Sequence, residues 1–341
     1  MKKISLGGLE VSRIGFGAMG MSDYYTGAGR NDSDSIRTIH RALDLGVTHI
    51  DTAEAYGPFI NEELVGRAVR GRRDEVVIAT KFGLVSHTGR EGLDSSPENI
   101  RSAVEGSLNR LGTDHIDLYQ IHHVAPDVPA EEILQPLDDL VKAGKIRYVG
   151  NCNYSSWRQL EALHTAKANN LSWYVSTQNH YSLVHRHVEL EILPFCNAYE
   201  TGFIPYFPLA GGFLTGQYRP GQPAPTGTRS DLIPTGIVNR ITTERTENLL
   251  LKLESFSQEH GHPVAELALA WLLSHPEVTT IINGAEKPEY IAANAKAAEW
   301  VLTPEERAEV DAITSWWDGT NATVDTTGGT TGAGGGTPAR A

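Results

Sequence analysis

Short, β-branched apolar runs alternate with longer amphipathic segments along this chain, and this alternation constrains the fold more than any other feature of the sequence. The short runs are mostly apolar, as is typical of strands that are buried on both faces. The longer segments have the periodicity of amphipathic helices. Strands that alternate with helices form a parallel sheet joined by crossover helices. We therefore predict a parallel α/β fold.

The alternation recurs about eight times in about 300 residues, which favours a closed (β/α)8 barrel over an open sheet. The predicted strands span residues 13–17, 48–51, 76–80, 116–121, 148–151, 174–178, 203–206 and 279–282. The predicted helices include residues 34–45, 97–111, 131–143, 156–168 and 188–199. Ser96 and Pro97 form an N-cap with proline at the first helical position, and Thr303 with Glu306 has the spacing of a capping box.

Composition excludes several classes of protein. Of the 341 residues, 40% are hydrophobic and 21% charged, which is typical of a globular protein with a substantial core. The formal charge of -13 would repel a phosphate backbone, so we expect no nucleic-acid partner. No apolar stretch approaches the roughly 20 residues that span a bilayer, so we expect no membrane segment.

The N-terminus and the cysteine content favour a cytoplasmic protein. The first residues include Lys2 and Lys3 but no sustained apolar run, so they do not resemble a signal peptide. The chain has two cysteines, Cys152 and Cys196, which argues against a disulfide scaffold. We expect both thiols to be reduced.

We find no change in composition that would mark a second domain, so we predict a single domain over residues 1–317. A Gly/Thr-rich tail at residues 318–341 lacks the apolar content to order itself. A Pro/Gly/Thr-rich stretch at residues 211–236 is long enough to be a functional loop over the mouth of a barrel.

One glycine motif raises a competing interpretation. Gly15, Gly17 and Gly20 have the spacing of a dinucleotide-binding turn and follow a predicted strand. That motif requires a helix to begin at the last glycines, whereas the sequence of residues 21–31 predicts a polar loop. We therefore interpret the motif as a tight passage from strand to loop at the barrel mouth.

Polar residues follow three neighbouring predicted strands, where barrel enzymes place their catalytic groups. Asp51 ends the second strand and Tyr56 follows it, Lys81 follows the third strand, and His122 follows the fourth. A nearby ammonium favours the phenolate of a tyrosine, whose ordinary pKa is about 10. A carboxylate would hold the ammonium and an imidazole would orient a carbonyl. Together the four groups fit proton transfer to a carbonyl oxygen.

Three stretches closely resemble the aldo-keto reductases, in order and in spacing: residues 46–57 (GVTHIDTAEAYG), 79–81 (ATK) and 114–122 (DHIDLYQIH). The resemblance implies a (β/α)8 TIM barrel with extra C-terminal helices and a short N-terminal β-hairpin. It also implies an NAD(P)H-dependent oxidoreductase that interconverts a carbonyl and its alcohol. The family's catalytic tetrad corresponds to Asp51, Tyr56, Lys81 and His122, with Tyr56 as the general acid and base.

The resemblance also places an extended nicotinamide cofactor across the barrel mouth without a Rossmann domain. Asn153 and Gln178 correspond to ligands of the carboxamide, Cys152 stands where serine is common, and Tyr206 corresponds to the aromatic residue that stacks on the nicotinamide. The cofactor positions that the resemblance implies are Gly17, Met19, Asp51, Asn153, Gln178, Tyr206, Leu209, Gly212, Leu214, Gly284, Glu286, Lys287, Tyr290 and Asn294.

The choice between NADP(H) and NAD(H) depends on the adenosine end. Glu286 stands where related proteins carry a neutral or basic residue, and a carboxylate there would repel a 2′-phosphate but accept a hydrogen bond from a ribose hydroxyl. Lys287 would pair with the phosphate. We favour NADP(H), with NAD(H) as the alternative.

The substrate is less constrained. Tyr24, Tyr25, Phe59 and Phe82 follow the first three strands and would line a pocket for a small carbonyl compound. The resemblance admits aldehydes, ketones and sugars, and the oligomeric state stays open. The His185–His187 pair lacks acidic or cysteine partners at ligand spacing, so we expect no metal.

Two other functions stay open. The chain also resembles the β subunits of potassium channels, which bind nicotinamide and turn over slowly, so a cofactor-sensing role is an alternative. The second alternative is a barrel lyase or isomerase that uses Tyr56 and Lys81 without nicotinamide. A purified protein that did not bind nicotinamide would favour this last interpretation.

Overall fold

Eight parallel strands form a nearly closed barrel, as predicted. The computed structural model describes residues 1–22, 31–217, 219, 244–285 and 287–315. Its strands are β1 (Lys3–Leu6), β2 (Leu9–Ser12), β3 (Ile14–Gly17), β4 (His49–Asp51), β5 (Val77–Phe82), β6 (Ile116–Ile121), β7 (Ile146–Cys152), β8 (Tyr174–His180), β9 (Gly202–Tyr206) and β10 (Ile281–Gly284). Its α-helices are α1 (Asp32–Asp44), α2 (Ile60–Ala68), α3 (Pro97–Leu111), α4 (Ala130–Lys142), α5 (Ser156–Asn169), α6 (Ile192–Tyr199), α7 (Glu244–Glu259), α8 (Val264–Leu273), α9 (Pro288–Ala297) and α10 (Pro304–Thr314).

The strands pair in the order β10-β3-β4-β5-β6-β7-β8-β9, and all of these pairs are parallel. The remaining seam carries an isolated parallel bridge between Phe203 and Val278. Beside it, the Arg13 guanidinium donates to the carbonyl oxygens of Leu273 (2.7 Å) and Val278 (2.6 Å). These contacts draw the two ends of the sheet together.

An antiparallel hairpin of β1 and β2 covers the N-terminal end of the barrel, which confirms the expected hairpin. Gly7 and Gly8 form its turn with φ of 58° and 103°, a conformation that favours glycine. The hairpin buries an apolar cluster against inward-facing strand residues: Leu6, Leu9, Val11, Ala79, Leu118, Ile204 and Ile282. Polar side chains in the barrel therefore lie toward the opposite end.

The helices pack around the sheet, and their starts follow the predicted signals. The Ser96 side chain accepts a hydrogen bond from the Asn99 N–H at the start of α3, and Thr303 forms a capping box with Glu306 at the start of α10. No helix in the described ranges is long and apolar enough to cross a membrane.

The predicted helix at residues 188–199 was wrong in part. The structure divides this region into a 3-10 turn, His187–Glu189, and α6, with a non-helical Glu191 between them (φ -142°). Pro194 explains the division. It lies in the first turn of α6, where its missing N–H removes no helical hydrogen bond, whereas it would interrupt a helix that began at residue 188.

Two other predicted segments lie wholly or partly outside the described residues. These are the Gly/Thr-rich tail at residues 318–341 and, in the predicted mouth loop, residue 218 and residues 220–236.

Candidate active site

A layer of polar side chains crosses the interior of the barrel. Successive residues of a strand face opposite sides of the sheet, so residues two apart share a face. Ala79 and Leu118 face inward against the hairpin, and the residues two positions further, Lys81 and Gln120, therefore face inward closer to the mouth. Asp51 and Gln178 complete this layer through their contacts with these side chains.

Lys81 is the centre of the layer. Its side chain is fully buried, and its ammonium group forms an ion pair with the buried carboxylate of Asp51. The same nitrogen donates to the carbonyl oxygen of Thr52 (2.9 Å) and to the hydroxyl of Tyr56 (3.3 Å). Three of the four residues predicted to be catalytic are thus in direct contact.

Two amides hold the Asp51 carboxylate on its other oxygen. Gln178 Nε2 donates to Asp51 Oδ2 at 2.9 Å, and Gln120 Nε2 donates to the same oxygen at 3.3 Å. A buried charge needs an opposite charge and hydrogen bonds to be stable, and Asp51 has both. Gln120 was not among the predicted site residues, although its position two residues before His122 placed it on the same face of β6.

The pKa of Tyr56 is shifted upward, whereas a nearby lysine alone would shift it downward. Burial raises the pKa of the Tyr56 hydroxyl above its ordinary value, and the nearby Lys81 ammonium lowers it by less, so the net shift is upward. Burial lowers the pKa of Lys81, but the charges of Asp51, Tyr56 and Cys152 and the hydrogen bond to Asp51 together raise it by more, so the net shift is upward. Tyr56 is therefore protonated at neutral pH, and Lys81 is charged.

His122 lies beside Tyr56, with the two rings edge to face and their centroids 5.8 Å apart. Burial, the charge of Lys81 and the neighbouring His123 hold the pKa of His122 well below its ordinary value. Its ring is neutral and can donate one hydrogen bond. Its Nδ1 atom has no hydrogen-bond partner within the described part of the chain. His122 therefore lies in the same cluster as the other three predicted catalytic residues, Asp51, Tyr56 and Lys81.

The loop that carries Tyr56 is fixed from two sides. Thr52 Oγ1 donates to Asn61 Oδ1 on α2 at 2.6 Å. The buried Glu54 carboxylate hydrogen bonds to His87 (2.8 Å) and accepts from the Gly83 N–H (3.3 Å) in the segment after β5. Glu54 thereby connects the Tyr56 loop to the segment that follows Lys81, a connection that no sequence motif indicated.

Asn153 and Tyr206 meet at the mouth. The Tyr206 hydroxyl donates to Asn153 Oδ1 at 2.9 Å, and Asn153 Nδ2 donates to the His122 carbonyl oxygen at 3.2 Å. Asn153 has a φ of 59°, a conformation that asparagine tolerates better than most residues. Cys152 is buried, and its thiol is 3.9 Å from Gln120 Oε1. Residues predicted for the nicotinamide end thus lie next to the Lys81 layer.

Glycines lie at the ends of β3 and β10 and in the loop after β9. Gly17 ends β3 and pairs in register with Gly284, and a short 3-10 turn that contains the half-buried Met19 follows. Gly20 lies inside this turn, which ends at Met21 and is followed by an extended Ser22, so within the described residues no α-helix begins at the last glycines as a Rossmann turn requires. After β9, Gly211 has a φ of 68° with open space where a side chain would lie.

The loop from Leu209 and the predicted adenosine end contain both exposed and buried positions. Leu209 and Gly212 are half-buried, whereas the Leu214 side chain is fully buried in the core. Lys287 and Tyr290 are exposed, with the ammonium 5.7 Å from the ring centroid. Glu286 lies outside the described residues. The last of the predicted positions here is Asn294, which is buried on α9.

The described residues can accommodate an extended nicotinamide cofactor. The Asn153 amide contacts the half-buried Tyr206, and the Gln178 amide lies in the adjacent Lys81 layer, a set of groups that suits a flat ring with a carboxamide. Gly211, in the loop after β9, has open space beside its backbone, and Lys287 after β10 is exposed. Amides, aromatic faces and approachable backbone are the groups that such a ligand requires.

The substrate-pocket predictions have mixed outcomes. Phe59 is half-buried near the mouth and packs on Arg110, whose guanidinium carbon is 4.5 Å from its ring. Phe82 does not fit the predicted role, because it stacks on Tyr119 (4.9 Å) in the core between sheet and helices and has no exposed surface. It faces away from Lys81 because the two are adjacent on β5. Tyr24 and Tyr25 lie outside the described residues.

No three His, Cys, Asp or Glu side chains are arranged to hold a metal ion in the part of the chain that the structure describes.

Comparison with known proteins identifies the family. The model of the aldo/keto reductase family matches residues 13–315, which include every strand of the barrel. The chain belongs to the aldo/keto reductase family. A protein named probable aldo-keto reductase 1 from Glycine max is 34% identical over 312 residues, which is 90% of this chain and 87% of that protein.

A solved structure of a member of the same family is also similar. A glycerol dehydrogenase from Gluconobacter oxydans superposes with a TM-score of 0.80 at 30% identity, over 94% of this chain and 97% of the other. Aldo/keto reductases are oxidoreductases that act on carbonyls and alcohols and use nicotinamide cofactors. The resemblance found in the sequence and the predicted barrel are both confirmed.

Proposed function

We propose that this aldo/keto reductase is an NAD(P)H-dependent enzyme that interconverts a small carbonyl compound and its alcohol, with Tyr56 as the general acid and base. The observation that carries the proposal is the buried Lys81 ammonium, which contacts the Asp51 carboxylate and lies 3.3 Å from the Tyr56 hydroxyl. A phenol, an ammonium and a carboxylate in one buried contact, beside a neutral imidazole, form a set of groups suited to proton transfer.

Each of the four side chains has a separate task. A bound nicotinamide would supply or accept the hydride. In reduction, Tyr56 donates its proton to the carbonyl oxygen, whose negative charge grows as the carbonyl carbon is reduced. Lys81 stabilises the phenolate that remains, Asp51 holds Lys81 in place, and His122 donates a hydrogen bond that orients the carbonyl. Tyr56 then recovers a proton from solvent, and in oxidation it acts as the base.

We assign the cofactor to the mouth of the barrel. Tyr206 would pack against the nicotinamide ring, and Asn153 and Gln178 would hold its carboxamide. We favour NADP(H) because Lys287, exposed and adjacent to the end of β10, can pair with a 2′-phosphate, and NAD(H) is the alternative if Glu286 binds the ribose. The other positions in this assignment are Gly17, Met19, Asp51, Leu209, Gly212, Leu214, Gly284, Tyr290 and Asn294.

The substrate is a small aldehyde, ketone or sugar that reaches Tyr56 past Phe59. The similarity to a glycerol dehydrogenase supports the inclusion of small polyols and hydroxyaldehydes. We place the enzyme in the cytoplasm, as one catalytic domain over residues 1–317, without a nucleic-acid partner.

The test is the oxidation of NADPH and, separately, of NADH by purified protein across aldehydes, ketones, sugars and hydroxyaldehydes. We expect turnover with at least one carbonyl class and a lower KM for NADPH. Replacement of Lys287 by Gln would raise the KM for NADPH and leave that for NADH unchanged. Tight nucleotide binding without turnover in either direction would contradict the proposal and favour a cofactor-sensing role.

A further inference from the structure

His180 is a buried residue at the barrel mouth that sequence motifs did not single out. It lies two residues after Gln178 on β8, so both side chains face the interior. In the register of the sheet, His180 is directly opposite Tyr206 on β9. Only 7% of its surface is exposed. The strand pairing thus sets an imidazole beside the aromatic ring assigned to the nicotinamide.

Several aromatic rings pack together at this position. The His180 and Tyr206 rings are 15° from parallel with centroids 5.5 Å apart. His185 stacks on His180 at 3.8 Å and 12°, and the Phe207 ring packs edge to face on His180 at 5.8 Å. Offset parallel rings attract each other beyond the area that they bury. His185 belongs to the pair that the sequence raised as a metal candidate, and the structure gives it a packing role.

The stack is not arranged for a metal ion. Rings that lie parallel at 3.8 Å direct their nitrogen lone pairs sideways in separate planes and not toward a common point. Burial, with His185 and His187 nearby, holds the pKa of His180 well below its ordinary value. A neutral ring packs closely without a desolvation penalty for charge. His180 therefore acts through ring packing, and Tyr206 is one of the rings that it contacts.

Tyr206 is restrained both at its hydroxyl and on its ring. Its hydroxyl donates to Asn153 (2.9 Å), and its ring packs in parallel with His180 and edge to face with Phe207 (5.4 Å). A hydrogen bond at the hydroxyl alone leaves the ring able to rotate, and the stack limits that rotation. A ring that is fixed before a ligand arrives loses less conformational entropy when the ligand binds.

We propose that His180 is a positioning residue for nicotinamide binding, which acts by holding the Tyr206 ring in its binding orientation. This inference rests on the proposed function, because it takes Tyr206 as the residue that packs on the nicotinamide. His180 makes no contact with the substrate carbonyl in this account. Its loss weakens nucleotide affinity and leaves the proton-transfer residues in place.

The test compares His180→Leu with His180→Phe. Leucine removes the stacking ring, whereas phenylalanine keeps a ring and removes the nitrogens. We expect His180→Leu to raise the Kd for NADPH by about threefold to tenfold in a fluorescence titration, with His180→Phe within about twofold of the parent. The change should appear in the KM for nucleotide and not in kcat, and thermal melting of both variants checks folding.

Tyr206→Leu separates failure of this inference from failure of the cofactor site. Weaker binding by Tyr206→Leu with unchanged binding by His180→Leu would overturn the role of His180 alone. Unchanged binding by both variants would overturn it together with the assignment of Tyr206. Equal loss of affinity in His180→Leu and His180→Phe would also overturn it, because the stacked ring would then not be what matters.

Discussion

At the scale of residues, the buried ion pair between Lys81 and Asp51 dominates the site. Neither group reaches solvent, so removal of one partner leaves a buried, uncompensated charge. Lys81→Met should lower the free energy of unfolding by about 3–5 kcal/mol, measured by chemical denaturation. It should also reduce turnover, since the phenolate would lose its counter-ion.

A double variant provides the control for this prediction. Asp51→Asn combined with Lys81→Met removes both charges, so it should recover much of the stability and none of the turnover. Recovery of turnover in the double variant would show that the ion pair supports the fold and not the chemistry.

The raised pKa of Tyr56 predicts how the rate depends on pH. Burial raises this pKa by more than Lys81 lowers it, so the hydroxyl keeps its proton across the neutral range. Carbonyl reduction, which needs the protonated form, should not lose rate through Tyr56 between about pH 6 and pH 9. Alcohol oxidation, which needs the phenolate, should become faster as pH rises over the same range. A fall in the oxidation rate with rising pH would contradict the assignment.

The sequence carried enough information to predict the four catalytic candidates, because each follows or ends a strand and the motifs around them are specific. It did not reveal Glu54, Gln120 or His180. Gln120 and His180 follow from the alternation of side chains along β6 and β8 once the register is known. Glu54 acts through His87 and Gly83, which are distant in sequence and meet it only after folding.

At the scale of elements, the hairpin that closes the N-terminal end depends on glycine at its turn. Gly7 has a φ of 58°, and a Cβ there would lie 2.5 Å from Val175 Cβ. Gly7→Ala should therefore lower the free energy of unfolding by more than the roughly 1–2 kcal/mol that a left-handed conformation costs a residue with a side chain.

Gly112→Ala is the matched control for the hairpin. Gly112 has a φ of 63°, but no atom lies within 4 Å of where its Cβ would be. The substitution at Gly112 should show the backbone cost alone in urea denaturation. Equal losses at both positions would contradict the close packing of the hairpin on β8.

The eight strands could be predicted because each is a short apolar run. Their observed ends differ from the predicted ones where contacts with distant parts of the chain determine the pairing. The last strand begins at Ile281 and not at residue 279, and the Thr279 N–H instead donates to the Phe203 carbonyl oxygen across the seam. Such a contact joins segments far apart in sequence and leaves no local pattern. The division of the predicted helix at residues 188–199 had a local cause in Pro194, which the periodicity alone did not take into account.

At the scale of the whole molecule, buried neutral histidines make the stability of the fold sensitive to acid. Burial lowers the pKa of His49 from 6.5 to about 4, and that of His275 to about 4 as well. Between these values the unfolded chain binds protons that the folded chain does not, so the free energy of unfolding falls as pH drops from about 6.5 to about 4. Across this range each of the two histidines lowers the free energy of unfolding by about 3 kcal/mol.

His49→Gln should therefore reduce the slope of stability against pH in this window. His164→Gln, at an exposed histidine on α5, is the control for replacing a histidine with glutamine at a position that is not buried. Chemical denaturation at about pH 7 and about pH 4.5 measures how much the free energy of unfolding of each variant changes with pH. Equal slopes for His49→Gln and the parent protein would contradict the role of His49.

The central claim is that Tyr56 transfers the proton while other residues bind the nucleotide. Tyr56→Phe removes the hydroxyl and keeps the ring, so the most direct measurement is kcat for carbonyl reduction beside the Kd for NADPH in this variant. We predict that kcat falls by about 10²–10⁴-fold, while the Kd stays within about threefold of the parent value. Full turnover by Tyr56→Phe would contradict the account.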